Sequence, residues 1–565
     1  MRRVLASVAP RRADLRADAI AAVPGAISSV PDGMASAVLV GVNPLYGLYA
    51  SVFGPLVGGL VSSTGLMIIT TTSAAALAAG SALVDVPVDQ RPATLFLIVL
   101  LAGALMVAAG LLHLGRYTRF VSHSVMTGFL TAIAVNIICG QLADLSGSTA
   151  AQGSVPIRKA LSVITHPGAI NGASLVIGVM ALAILLACAR TRLSSISSLL
   201  ALAVPTAAVI VLGLTTVAQV QDIGPIASGL PLPALPDLGQ FNLSLLTSAA
   251  AIAVIVLVQG AGVSEVAPNP DRSRSNISRD FIAQGVANIT NALFQGIPVG
   301  GSVGHTALNK SVGARSRWAS ILSGLWLGAI LLVLAPLVGQ VATPTLAAVL
   351  IYAAARSLRP NEVITIMRAG PIPLVAVSVT FVCTLLLPVA TAVAVGVAIS
   401  LIMQLNQEAM DLRVVRLVPN EAGQLVEEPA PSVLTDRSVT VLDIYGSLFY
   451  AGARTLQARL PHPGDASAAV VILRLRGRTT LGATFVHIIT DYGGQLAARG
   501  GRLYLTGLTP ELVDRITRAT AGHLDGPITV SAATNILGQS TLAAFEDAQA
   551  WELEHRSDPP PDRAG

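Results

Sequence analysis

Charged side chains are scarce in this chain: Asp, Glu, Lys and Arg make up 12% of its 565 residues, whereas 53% are hydrophobic and only 4% aromatic. With a mean hydropathy of +0.71, that balance excludes an ordinary soluble enzyme and points to an integral membrane protein in contact with the lipid bilayer. Cysteine is nearly absent. Cys139, Cys188 and Cys383 lie far apart in apolar stretches without metal-ligand spacing, so they read as buried small hydrophobes, and no metal or other cofactor is expected. The arginine-rich opening MRRVLASVAPRRADLR lacks a small-residue cleavage site, and no signal peptide is expected. By the positive-inside rule this arm, residues 1–16, is cytoplasmic. The formal net charge of +5 is concentrated in that arm and implies no nucleic-acid partner.

Apolar runs long enough to cross a bilayer, about 20 helical residues each, fall near 96–114, 120–143, 172–189, 195–216, 246–266, 317–340 and the double-length 371–406. Shorter or interrupted runs lie near 18–37, 41–61, 66–83, 281–297, 301–315 and 343–357. Together they make about 14 segments across residues 17–406, and an even number returns the C-terminus to the cytoplasmic side. The broken pair at Val38 and Ile68 recurs at Phe281 and Gly301, so a seven-plus-seven inverted repeat is expected. Residues 407–435, charged and carrying Pro419, Pro429 and Pro431, read as a linker. Beyond it, strand-like 438–442, 469–475 and 502–508 alternate with helix-like 483–498 and a helix opened by Thr509-Pro510-Glu511. That alternation predicts a small α/β domain over 436–553, followed by a disordered tail, 554–565.

Two of the interrupted runs carry chemistry. Irregular backbone at membrane depth is tolerated only where it is buried by protein or lines a cavity, so Thr70-Thr71-Thr72-Ser73 and Gly300-Gly301-Ser302-Val303 each predict a half-helix opened within the membrane. The first amides of such a helix lack intrahelical acceptors and carry about half a unit of positive charge. Two ends facing each other form an anion site without a lysine. Thr71, Thr72, Ser73 and Ser302 add hydroxyls, while Gly300 and Gly301 let a ligand approach the main chain; the competing reading is close helix packing through small residues.

Ionisable groups at membrane depth are functional by default. Asp32 directly follows Pro31, where an interrupted first helix is expected; it is either a site residue or an N-cap at the break. Glu265 closes a long apolar run just before Pro268 and reads equally as a solvated helix end. His305 stands in the first turn of the second half-helix, where a positive helix end disfavours its protonation unless an anion is bound.

With these residues in view the chain resembles the sulfate permease (SulP) family, which includes relatives of the animal prestin and pendrin group. Residues 31–37, PDGMASA, and 42–49, VNPLYGLY, are similar to two of its signatures; residues 281–309, FIAQGVANITNALFQGIPVGGSVGHTALN, and 313–317, GARSR, are similar to two more. The resemblance implies an α-helical polytopic membrane domain of fourteen segments in two inverted repeats, with a core that carries substrate past a gate. It also implies a cytoplasmic STAS domain, a homodimer, and an inorganic anion of the sulfate, bicarbonate or chloride class as cargo.

Three departures from the family pattern stand out. The acidic position of the eighth helix falls on Gln259, while the glutamine of the first helix is Asp32, so acid and amide are exchanged. Asp32 then becomes the coupling group, and Gln259 binds anion or fixes the core. Glu265, the competing carboxylate, lies six residues beyond Gln259, about 240° around a helix. His305 replaces an arginine, so a permanent charge gives way to one that ordinarily titrates near about pH 6.5. In the C-terminal domain the D-S-S-G loop reads Gly482-Ala483-Thr484-Phe485; only Thr484 keeps a hydroxyl at the regulatory position, which disfavours a phosphoswitch and leaves a packing, trafficking or dimer role.

These residues point to secondary transport of an inorganic anion across the inner membrane by alternating access, with no covalent chemistry and with proton or sodium coupling open. The alternatives are a transporter-like sensor signalling through its STAS domain and a nucleobase permease.

Overall fold

A computed structural model describes residues 12–554 apart from 121, 150–155, 192, 194–195, 223–228, 268, 272, 359, 388, 422–424, 449, 479 and 521–527. Most of the expected basic arm and nearly all of the expected tail thus lie outside the described residues. The chain divides into two compact units at Ser400/Leu401.

The first unit opens with α1 (Arg12–Val40), α2 (Pro44–Val61), β1 (Ile69–Thr71) running into α3 (Ser73–Ala82), α4 (Arg91–Leu111), α5 (His123–Ser146), the short α6 (Pro156–Thr165), α7 (Gly172–Cys188) and α8 (Ser197–Val211). The same order then recurs. It comprises α9 (Leu243–Val266), α10 (Ile277–Leu293), β2 (Val299–Gly301) running into α11 (Val303–Ser311), α12 (Trp318–Val338), α13 (Thr343–Ser357), the short α14 (Pro360–Arg368), α15 (Pro371–Leu386) and α16 (Val389–Met410). In each half the strand and half-helix form the third segment, and a short helix follows the fifth. Among the described residues, five helices are by length and composition apolar enough to cross a membrane, α1, α2, α4, α5 and α9. Seven is odd, so the second half enters from the opposite face, which makes the repeat inverted.

Packing sorts these helices into two bundles. Helices α1 to α4 pack with α9 to α12, while α5, α7, α8, α13 and α15 pack with one another; α1 touches both groups through α8 and α13. Helix α1 itself corrects one expectation, because it runs unbroken through Pro24 and Pro31. Each proline removes one amide donor and bends rather than ends the helix when neighbours hold it. The neighbour is α2: a Cβ on Gly47 would lie 1.8 Å from the Gly33 carbonyl oxygen, so the two backbones meet where only glycine fits.

Two buried aspartates staple the halves together. Asp18, fully buried in α1, accepts from the Arg315 and Ser316 amides at 2.7 and 3.1 Å, ahead of α12. Asp280, 1% exposed in the first turn of α10, accepts from the Ser63 and Thr64 amides at 2.6 and 3.1 Å and from the hydroxyls of Thr64 and Ser264. Each carboxylate thus satisfies loop amides contributed by the other half, the arrangement that makes a buried carboxylate tolerable.

The second unit is a six-stranded sheet ordered β4-β3-β5-β6-β7-β8. Its strands are β3 (Arg413–Pro419), β4 (Leu425–Pro429), β5 (Val439–Tyr445), β6 (Val470–Arg474), β7 (Arg502–Leu508) and β8 (Ile528–Ala532). The last four are parallel, and β3 is antiparallel to both its neighbours. Helices α17 (Tyr450–Arg459), α18 (Ala483–Ala497) and α19 (Pro510–Thr520) cover one face around Leu442, Leu473, Phe485 and Leu505. Helix α20 (Gln539–Glu554) covers the other around Val470, Ile472 and Tyr504. Much of the stretch read as linker is therefore strand: its prolines fall where β3 and β4 end, positions that cost no ladder bond. The Asp443 carboxylate pairs with Arg474 on the neighbouring strand.

Candidate functional site

The two interrupted segments meet. Strands β1 and β2 pair antiparallel with Ile69 opposite Gly301, Thr70 opposite Gly300 and Thr71 opposite Val299. Helices α3 and α11 leave this ribbon in opposite directions, and because the ribbon is only three residue pairs long, about 10 Å, both positive ends point back at it. Thr72 caps α3 by accepting from the Ala75 amide at 3.3 Å. Ser302 caps α11 by accepting from the His305 amide at 3.3 Å. The Thr72 hydroxyl keeps a proton to donate, whereas the Ser302 hydroxyl also lies within hydrogen-bond reach of His305 Nδ1. Ser73 is half-buried and Val303 exposed in the first turns that follow.

The outer edge of the ribbon is completed by side chains rather than by a third strand. Asn288 accepts from the Val299 amide at 3.0 Å and donates to its carbonyl at 2.8 Å. Gln284 accepts from the Gly301 amide at 3.0 Å. On the inner side Thr306 Oγ1 accepts from the Ile68 amide at 3.1 Å. Gln284, Asn288 and Asn291 are all fully buried. Their spacing of four and three residues along α10 was the available signal: carboxamides on one helical face of an apolar chain need partners.

Gly300 and Gly301 serve packing. A Cβ on Gly300 would come within 2.9 Å of Val256, and one on Gly301 within 3.0 Å of Met67 and 3.1 Å of the Gly260 Cα. Helix α9 therefore lies directly on the ribbon, in line with the close-packing reading of these glycines. Gly304, one turn on, has open space around it.

Asp32 and His305, far apart in sequence, come together here. The imidazole Nε2 lies 3.5 Å from the Asp32 carboxylate, and Nδ1 lies 3.2 Å from Ser302 Oγ. His305 is 7% exposed and the Asp32 side chain 33%. Asp32 is thus a mid-helix residue aimed at the second half-helix rather than an N-cap.

Gln259 points elsewhere, across the boundary between the bundles. It lines a cavity of about 40 Å³ with Phe129, Thr380 and Gly396, and both Gln259 Oε1 and Thr380 Oγ1 are buried without a hydrogen-bond partner among the described residues. Thr71 Oγ1 is in the same position within the ribbon. Glu265 falls in the last turn of α9; its side chain lies outside the described residues. Thr484 stands half-buried in the first turn of α18, behind an N-cap glycine that supplies no side-chain bond.

Against known proteins, residues 15–380 match the sulfate permease family. The chain belongs to that family. It is 27% identical over 454 residues to Sulfate transporter 4.1, chloroplastic, of Arabidopsis thaliana, spanning 78% of this chain and 66% of the plant protein. It is 23% identical over 485 residues to the Bicarbonate transporter BicA of Synechocystis sp., spanning 84% and 83% of the two chains. Its fold matches that of the murine Solute Carrier 26 family member A9 anion transporter in the inward-facing state with a TM-score of 0.82 at 17% identity, covering 97% of this chain and 94% of that one. The first unit is therefore the multi-pass membrane domain of a transporter family.

Proposed function

We propose that the protein is a secondary transporter of an inorganic anion, of the sulfate, bicarbonate or chloride class, working by alternating access. The observation that carries this reading is the convergence of two half-helix N-termini on one buried ribbon. Amides and hydroxyls there offer an anion donors and positive potential without a competing permanent cation. Thr71, Thr72, Ser73, Ser302 and the main-chain amide of Val303 supply that environment, while Gly300 and Gly301, packed under α9 and already hydrogen-bonded, hold the ribbon in place. Gln259, whose Oε1 has no hydrogen-bond partner among the described residues, is the further polar group that would bind anion or fix the core.

Coupling is assigned to protons through Asp32 and His305. An anion entering beside the imidazole favours its protonation, and Asp32 either shares or accepts that proton, so charge on the anion is offset as it crosses. Glu265 remains the competing carboxylate, and sodium the competing ion. In this reading residues 17–406 form the transport domain of an inner-membrane homodimer, with the N-terminal arm and a STAS-type domain over 436–553 in the cytoplasm. Thr484 is the one hydroxyl through which that domain could be regulated, but the loop around it favours packing or dimerisation.

Purified protein in liposomes, tested for uptake of labelled sulfate, bicarbonate, chloride and nitrate under imposed proton and sodium gradients, decides the matter. Saturable uptake of at least one anion is expected. Absence of flux for every anion would overturn the transporter reading.

A further inference from the structure

A large apolar slot lies at the boundary between the two bundles of the first unit. Its volume is about 450 Å³, and it runs between α1 and α12 on one side and α8 on the other. On α8 it extends from Leu199 to Ile210, eleven residues apart and hence about 16 Å along the helix. On α12 it reaches from Leu327 to Leu337, a comparable length. Among the described residues no aromatic or charged side chain lines it, and Thr206 and Gln340 are its only polar neighbours. Thr206 is already engaged, accepting from the Ala342 amide at 3.2 Å.

Length and lining together select the occupant. A span of about 16 Å is half the roughly 30 Å hydrocarbon thickness of a bilayer, the reach of one leaflet's chains. The slot is continuous with a bilayer-facing surface, because Ile210 at 48% and Leu337 at 56% exposure line it, while Val211 and Val333 beside them are 83% and 76% exposed. An aliphatic wall without hydrogen-bonding or stacking groups selects against a polar solute or a planar aromatic one. We propose that this slot is a lipid site, holding one acyl chain of a membrane phospholipid lengthwise between the bundles, with its ester end near Gln340.

The site is separate from the anion site but shares a helix with it. Ile27, Val30 and Met34 of α1 face the slot, while Asp32 of the same helix faces His305. A fluid chain at this boundary lets α8 slide on α1 and α12 without leaving a void, which a jigsaw-packed interface resists. Lipid occupancy does not depend on the transport reading, and its test does not use transport.

The full-length protein is reconstituted into phosphatidylethanolamine and phosphatidylglycerol vesicles carrying a trace phospholipid with a diazirine along one acyl chain, irradiated, and its peptides mapped by mass spectrometry. Adducts are expected at Ala203, Ala207 and Ile210 of α8 and at Leu337 of α12, as well as at the outward-facing Val211 and Val333. In Ala203→Phe/Ala207→Phe the slot is filled, so adducts at Ile210 and Leu337 are lost while those at Val333 persist, which also shows that the variant is folded and inserted. If slot positions label no more than background in the unsubstituted protein, or if the filled variant keeps its Ile210 and Leu337 adducts, the lipid site is ruled out. Should the double variant fail to insert, Ala203→Leu alone carries the same comparison.

Discussion

At the scale of the residue, the proposed coupling rests on His305 and Asp32. The resemblance to the family marks both as departures, but only the structure brings Nε2 to 3.5 Å from the carboxylate, a contact that 272 residues of intervening sequence hide. His305→Gln keeps a donor of similar size and cannot carry a proton. Its uptake should lose stimulation by external acid while retaining basal anion flux, as measured with labelled anion across a pH series; acid stimulation that survives the substitution sinks the imidazole as proton carrier. In the second unit burial pushes the Tyr492 phenol well above its ordinary value, and its hydroxyl donates to the Pro461 carbonyl at 2.7 Å. The neutral form is favoured in the fold, so this contribution is complete below the ordinary tyrosine range near about pH 10 and is lost as pH rises through the higher folded value. Tyr492→Phe should lower the stability of the C-terminal unit by about 1 kcal/mol and flatten its alkaline unfolding, both readable by circular dichroism.

At the scale of the element, composition and spacing disclosed the half-helices but not what holds them. Hydroxyls and glycines in apolar runs are enough to predict half-helices opening within 70–73 and 300–303, and the helices start at Ser73 and Val303. The ribbon was not legible, because three-residue strands carry no periodicity and pair only with a partner more than two hundred residues away. For the same reason the prolines of α1 looked like a break: sequence shows the missing amide, not the α2 backbone packed against Gly33. Strands β3 and β4 were masked by charge and proline, since β4 is an exposed edge that needs no hydrophobic face. The ribbon's dependence on α10 can be tested directly. Asn288→Leu leaves the buried amide and carbonyl of Val299 without partners, at about 1–3 kcal/mol for each group. The substituted protein should melt earlier in detergent and lose saturable uptake. Unchanged melting would mean that the carboxamide does not hold the strand.

At the scale of the whole molecule, a repeated order of seven segments builds two bundles whose boundary holds unfilled space and unpartnered polar groups. The apolar slot lies along it, and so does the small cavity where Gln259 and Thr380 face each other. Alternating access requires relative motion there, and a covalent link across the boundary should stop it. With Cys139, Cys188 and Cys383 replaced by alanine, Gln259→Cys/Thr380→Cys treated with a short bis-methanethiosulfonate, which links the two thiols through reducible disulfides, should lose uptake and regain it on reduction. Full cross-linking with undiminished uptake would show that the bundles do not move against each other at this point. The order of segments, the even crossing number and the α/β character of the C-terminal unit were all legible from apolar runs and strand–helix alternation. The two-bundle division depends on contacts between segments far apart in the chain, so no apolar run shows it; the family resemblance implied it as a core and a gate.

The central claim is that an anion and a proton cross together through the site where Asp32 meets His305. Its most direct measurement is the internal pH of proteoliposomes, followed with a trapped pH-sensitive dye, when the transported anion is added outside. Acidification that depends on the anion, present in the unsubstituted protein and absent from Asp32→Asn at equal incorporation, is the predicted result. Anion uptake without any accompanying acidification, or acidification unchanged in Asp32→Asn, would contradict it.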